Sequence, residues 1–239
     1  GTLTGSGNYY DPATLMRGET FIEVETDDFH YTDAISDEAV RMVDEGSGSD
    51  NPFFLYIAYT APHWPLHALE EDIAKYQGRY MGGWDEVRTA RHEELNSRGI
   101  LDKTWPISPR DEDAHPWQAE REKEWEDLRM AVYAAQIEQM DRGIGRVLDA
   151  LTSNAVEDDT IVMFLSDNGA CEVFLAEDTD EPTPSLFHGT TSSGERISVG
   201  NITGMRPGGP ETFMSYDLPW ANASNAPFRF YKNWIHEGG

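Results

Sequence analysis

Two unbroken apolar runs constrain what this chain can fold into. They are FFLYIAY at 53–59 and IVMFL at 161–165. Neither alternates with charged residues, and such β-branched, aliphatic and aromatic runs suit strands covered on both faces, as in a parallel sheet between helix layers. Each run stops in polar residues, the first in TAPHWP and the second in SDNGA. Asp and Asn-Gly at a strand end are ordinary turn chemistry. The carboxyl end of a parallel strand is also where open α/β sheets place a binding crevice. The stretch by itself leaves both readings open.

The segments between the runs have helical spacing. YTDAISDEAVRMVDE, from Tyr31 to Glu45, places Ala34, Ile35, Ala39, Met42 and Val43 on a helical period, with Thr32 or Asp33 available as a cap. From Glu122 to Leu151 a second stripe runs through Leu128, Ala131, Val132, Ala135, Met140, Ile144, Val147, Leu148 and Leu151, with Gly143 and Gly145 weakening it. The order helix, strand, helix, strand predicts an α/β fold, with a mainly parallel central sheet flanked by helices and a site on one edge. Trp-Pro, Ser-Pro and His-Pro interrupt residues 70–120, which predicts a long irregular insertion. The Gly-, Thr- and Pro-rich residues 1–18 read as surface loop, and the aperiodic residues 172–210 as an excursion near the site. No repeat, P-loop, zinc-ligand run or Gly-x-Ser-x-Gly elbow occurs.

Charge narrows the function. With 18 Lys plus Arg against 44 Asp plus Glu, the 239 residues carry a formal net charge of −26. Such a surface repels phosphate backbones and anionic lipid, so neither nucleic acid nor a membrane surface is an expected partner. An anionic small substrate would need local cations or a metal, which directs attention to Lys75, Lys103, Lys123 and Lys232. The lone Cys171 excludes an intrachain disulfide framework and reads as a small buried hydrophobe. Asn201-Ile-Thr and Asn222-Ala-Ser read as chance matches to the glycosylation sequon.

APHWP at 61–65, FLSDNGA at 164–170 and NAPFRFYKNWIHEGG at 225–239, in that order, resemble the sulfatase family of the alkaline-phosphatase-like superfamily, in its bacterial arylsulfatase branch. YAAQIEQMDRGIGRVLDAL and YQGRYMGGWDEVRTAR are similar to that branch too, so the resemblance covers essentially the whole chain. It implies hydrolysis of sulfate monoesters, with Asp167 and Asn168 as oxygen ligands to a divalent cation, usually calcium, and His63 and Lys232 contacting the sulfate. In that scheme Lys232 is an oxyanion clamp and His63 a sulfate ligand and candidate general acid. His236, Glu237 and the glycines after them are assigned structural duty, and Arg229 a structural carboxylate partner. A periplasmic or secreted location also accords with the family.

The sequence departs from the family at several points. The Cys/Ser-x-Pro-x-Arg motif that a formylglycine-generating enzyme converts into the nucleophile is absent, and Cys171, in GACEVF, lacks both its Pro and its Arg. The amino-terminal Asp pair of the metal site and the Lys-x-His pair after the nucleophile are absent as well. The resemblance therefore describes residues 1–239 as one domain, the central to carboxyl-side portion of a catalytic domain, inert by itself. Asp217 and Ala226 stand where Gly and Thr are usual. Two alternatives stay open: a non-catalytic module binding a divalent cation or a sulfated glycan, and a phosphate or phosphonate ester hydrolase of the same superfamily.

Overall fold

In the computed structural model, residues 1–2, 7–26, 28–177 and 188–237 are described. In chain order they form β1 (Met16–Arg17), β2 (Thr20–Phe21), α1 (Tyr31–Ser47), α2 (Glu70–Ile73), α3 (Gly83–Ser97), α4 (Lys123–Ser153), β3 (Ser198–Val199), β4 (Thr212–Phe213) and α5 (Asp217–Ser224). The ladders are short. β1 and β2 pair antiparallel, and β3 and β4 pair parallel with Ser198 opposite Thr212.

Both periodic segments are helical. In α1 the buried residues Thr32, Ser36, Ala39 and Val43 recur on one face, as an amphipathic helix requires. Its cap differs from expectation: His30 precedes the first turn without a side-chain cap, and Asp33 lies inside it, accepting from Gln139 at 2.8 Å. The 31-residue α4 is about 46 Å long at 1.5 Å per residue. Its carboxyl-terminal half packs Val147, Ala150 and Leu151 on Ala39 and Val43. Its amino-terminal half joins a core built around Trp84, Trp117 and Trp220. These indoles meet edge to face, 4.7 Å for Trp84–Trp117 and 5.4 Å for Trp84–Trp220. Leu148 and Met42, expected in the apolar stripes, are exposed.

Two loop expectations are corrected. Residues 70–120 are packed and partly helical, because the prolines are confined to positions 106–116 and α3 contains none. The Asp127 carboxylate fixes the turn before α3 by accepting the amides of Gly78 and Tyr80, each at 2.6 Å. Near the amino terminus, Asn8 and Tyr9 are buried, since Tyr9 supplies apolar area to a satellite core with Leu15, Tyr31 and Ala61. Both sequons are closed in the folded chain: Asn201 and Asn222 are buried, and Asn201 is bonded to Ser215.

The two apolar runs differ most from expectation. Neither 53–59 nor 161–165 belongs to a strand ladder, and neither makes a backbone hydrogen bond among the described residues. A ladder requires a neighbouring strand, and no described segment pairs with either run. FFLYIAY nevertheless alternates. Leu55, Ile57 and Tyr59 are half-buried, the first two against the α1–α4 core, while Phe54 and Tyr56 on the other side are exposed. IVMFL is exposed throughout, with Ile161 at 89% and Phe164 at 76% of full exposure.

The two glycines of α4 have opposite surroundings. A Cβ on Gly143 would collide with Ser36, whose hydroxyl is held by the Thr32 carbonyl and Tyr59, whereas Gly145 faces open space. Gly143→Ala is expected to destabilise by about 1–3 kcal/mol through overpacking. Gly145→Ala is expected to stabilise by up to about 1 kcal/mol through helix propensity. Urea denaturation of the two variants checks both signs.

Buried imidazoles set an acid limit. His67 accepts the Tyr9 amide at Nδ1 and donates from Nε2 to the Thr212 carbonyl at 2.6 Å, and burial pushes its pKa down to about 3. Burial likewise pushes His30 down to about 4, against the upward pull of Asp33. In both cases the unfolded chain binds the proton first. Stability is therefore full above the ordinary histidine pKa of about 6.5 and falls as pH drops from there toward the folded values. Thermal midpoints measured from pH 7.5 to 4 should decline over that window, and less steeply in His67→Gln.

Candidate active site

The polar ends of the two runs meet the carboxyl-terminal tail. After the first run the chain turns, with the His63 amide donating to the Thr60 carbonyl at 2.9 Å. The His63 carbonyl then accepts from the Tyr9 hydroxyl (3.0 Å) and from the buried Gln136 amide of α4 (3.3 Å). Trp64 ties this loop to the second run's polar end, its indole N–H donating to the Cys171 sulfur at 3.3 Å. The tail joins them through the Lys232 amide, which donates to the Ala170 carbonyl at 3.1 Å. Asn225 adds a second tie, accepting the Ala170 amide and donating to the Phe230 carbonyl. A third runs from the Asn233 side chain to Glu172.

This convergence brings His63 and Lys232 into contact, with Lys232 Nζ 3.2 Å from His63 Nε2. The other imidazole nitrogen, Nδ1, lies 2.7 Å from the Trp64 carbonyl. A carbonyl can only accept, so Nδ1 carries the proton and Nε2 accepts from the ammonium. Surrounding protein pushes the His63 pKa below its usual range, an effect limited by the surface the residue still presents to solvent. The Trp64 carbonyl pulls it up, Lys232 pushes it down, and Asp167 is near enough to pull it up through its charge. Lys75 is neutralised by Asp72 and Glu138, whereas Lys232 forms no ion pair among the described residues.

Asp167 is exposed and Asn168 half-buried, in a turn where the Ser166 hydroxyl donates to the Asn168 carbonyl at 2.8 Å. A carboxylate and an amide oxygen are donors of the type a hard divalent cation takes, and calcium takes six to eight. No group of three or more metal-ligating His, Cys, Asp or Glu occurs among the described residues. The pair thus fits a cation in kind and supplies only part of a shell. Cys171 is a packed thiol under Trp64, and Arg229 grips Glu237 at 2.6 and 2.8 Å.

Sequence reasoning missed Gln136 and Asn225 as organisers of the site. Gln136 breaks an otherwise apolar stripe in a helix core, and that was the available signal. Asn225 opens the NAPFR segment, but nothing in the sequence says that its amide spans two loops.

The sulfatase family profile matches residues 2–186. The chain belongs to the sulfatase family. It is 36% identical over 206 residues to an uncharacterized sulfatase of Schizosaccharomyces pombe, covering 84% of this chain and 35% of that protein. It is 30% identical over 226 residues to the arylsulfatase of Klebsiella aerogenes, covering 89% of this chain and 44% of that protein. It is also 30% identical to a solved structure of Ps i-CgsB in complex with k-i-k-neocarrahexaose, with a TM-score of 0.40 over 65% of this chain and 24% of that one. This sulfatase chain thus spans less than half the length of each of the two curated relatives. Its fold class is α/β.

The His63–Lys232 contact is testable by titration. Removing the ammonium removes a cation that disfavours protonation, so Lys232→Ala should raise the His63 pKa, read from the pH dependence of its imidazole NMR signals. An unmoved titration would separate the two residues in solution.

Proposed function

We propose that residues 1–239 form the central to carboxyl-side portion of a sulfuric ester hydrolase of arylsulfatase type, whose nucleophile lies outside this sequence. The contact between Lys232 Nζ and His63 Nε2 carries the reading. It presents an ammonium, free of a carboxylate partner among the described residues, beside an imidazole with a defined tautomer, on a chain whose other charges are mostly negative. A sulfate group is the ligand such a point accepts.

In this reading Lys232 holds a sulfuryl oxygen and opposes the negative charge that builds there in the transition state. Binding of sulfate draws the ammonium away from Nε2, leaving His63 free to turn that nitrogen toward another sulfate oxygen or toward the ester oxygen as it departs. In either role His63 must first gain a proton at Nε2, since a sulfate oxygen only accepts, and its lowered pKa makes it a ready donor once protonated. Asp167 and Asn168 would hold a divalent cation such as calcium together with ligands from elsewhere, and a bound cation would supply further neutralisation of sulfate charge. The nucleophile in this scheme is a formylglycine, installed by a formylglycine-generating enzyme on a longer polypeptide.

The test is turnover of 4-nitrophenyl sulfate by a longer polypeptide carrying both these residues and the nucleophile motif. Lys232→Ala and His63→Ala are each expected to lower kcat by about 100- to 1000-fold, the effect of removing one transition-state donor. Lys232→Arg should recover little, because a planar fork does not replace a point charge. The 239-residue chain alone should show no turnover. Unchanged kcat/KM in Lys232→Ala would remove the lysine from the chemistry.

A further inference from the structure

The tail that carries Lys232 enters the core at one point. Among residues 228–237, all of them described, only Tyr231 is buried. Its ring belongs to the core built around Trp84, Trp117 and Trp220. Its hydroxyl donates to the Asp111 carboxylate at 2.8 Å, across 120 residues of sequence. Burial, and then the Asp111 carboxylate, push the Tyr231 pKa up, so the phenol keeps its proton and remains a donor.

Lys232 is the next residue. The Trp234 amide donates to the Tyr231 carbonyl at 3.0 Å, closing a four-residue turn with Lys232 and Asn233 at its centre. The Lys232 amide is taken by the Ala170 carbonyl, and the Asn233 side chain reaches Glu172 at 2.8 Å in an exposed pair. Water competes for that exposed pair. The Tyr231–Asp111 bond combines a charged acceptor with a donor inside the protein, which makes it the stronger tie on the turn.

Asp111 is itself held. Its Oδ1 accepts the Asp113 amide at 3.0 Å, and its own amide donates to the side chain of the buried Asn222 in α5 at 3.4 Å. Three residues earlier, Ser108 donates from its amide to the Pro227 carbonyl (3.3 Å) and from its hydroxyl to the Phe228 carbonyl (3.2 Å). The buried Arg88 of α3 donates to the Ser108 carbonyl from the other side. The segment bearing Asp111 is therefore a fixed platform under the tail. A lysine is a point charge on a flexible stem, so its ammonium is placed only as well as its backbone is held.

We propose that Asp111, acting through the Tyr231 hydroxyl, is a positioning residue that holds the turn bearing Lys232 so that the ammonium meets His63. Its effect on turnover rests on the sulfatase reading above, whereas the positioning of Lys232 against His63 does not.

Tyr231→Phe is the clean variant, because it keeps the buried ring, deletes the hydroxyl and leaves the half-buried Asp111 open to water. NMR titration of the His63 imidazole in the 239-residue chain is the readout. Beyond the effect of burial, Lys232 pushes that pKa down, so loosening its turn should raise it toward the value in Lys232→Ala. Added to Lys232→Ala, Tyr231→Phe should move it no further. A role confined to stability would lower the thermal midpoint and leave the His63 titration where it was. Asp111→Ala should reproduce the shift, and Asp111→Asn, whose amide oxygen still accepts the hydroxyl, should restore most of the wild-type titration. In the longer polypeptide with the nucleophile motif, Tyr231→Phe should lower kcat on 4-nitrophenyl sulfate about 10- to 100-fold, the effect of misplacing a reacting group by about 1 Å. A wild-type His63 titration in both Tyr231→Phe and Asp111→Ala would overturn the positioning, as would an equal shift with and without Lys232. A shifted titration, together with wild-type turnover by Lys232→Ala, would uphold the positioning and strike the sulfate clamp instead.

Discussion

The Gln136 carboxamide lies inside the protein and donates to the carbonyls of His63 (3.3 Å) and Pro65 (3.2 Å). Those carbonyls belong to a loop outside any helix or strand, so α4 holds it together with the Tyr9 hydroxyl and the Trp64–Cys171 contact. A net hydrogen bond of this kind contributes about 1 kcal/mol, but an abandoned buried carbonyl costs about 1–3 kcal/mol, so the loop has one favourable position. The same helix anchors the chain after β4. Arg129 donates to the Ser215 carbonyl at 2.6 and 3.1 Å, and Glu126 accepts from Arg129 and from the Trp220 indole. Because a buried ion pair is strongly destabilising only when broken, this polar girdle fixes register more than it adds stability.

Around that scaffold the electrostatics of the site are local. A net charge of −26 opposes the arrival of an anion, but screening limits distant charges to about 8–10 Å at moderate ionic strength. Within that radius the relation between Lys232 and His63 decides. The ammonium keeps Nε2 as an acceptor, and Asp167 works in the other direction on the same ring. A sulfate placed between them exchanges one neutral acceptor for anionic oxygens, which is the stronger hydrogen bond for the ammonium. In the proposed reading, sulfate binding would therefore displace the lysine from the histidine.

Much of this was legible in the sequence, for reasons that differ residue by residue. Helical spacing read α1 and α4 to within two residues at each end, since their apolar stripes are long and regular. Short motifs in a known order proposed His63, Asp167 and Lys232 as site residues, and the structure brings His63 and Lys232 into contact 169 residues apart, with the charge of Asp167 reaching the same imidazole. Gly at position 217 was the family expectation, and Asp217 indeed adopts φ +74°, a left-handed conformation in which a Cβ is strained. Its carboxylate compensates in part by accepting the Leu218 amide, while burial pushes its pKa up. Gln136, Asn225 and the buried Tyr9 were not legible, because each acts through a backbone partner in a segment far away in sequence.

The two apolar runs read as strands of a sheet, yet neither is a strand in the structure, and the reason is physical. FFLYIAY is apolar on both faces, yet the described residues cover only the side of Leu55 and Ile57, leaving Phe54 and Tyr56 in water. Apolar surface left in contact with water forgoes about 25 cal/mol per Å², so a run with this composition is written for cover on its second face. IVMFL shows the same mismatch more completely, with no backbone partner among the described residues and every side chain exposed. Relatives more than twice as long have room for that cover. The site escapes the mismatch because its residues are held from the other direction, by α4, the Trp64 indole and the tail. The contact between His63 and Lys232 is therefore set by the hydrogen bonds of the described residues themselves.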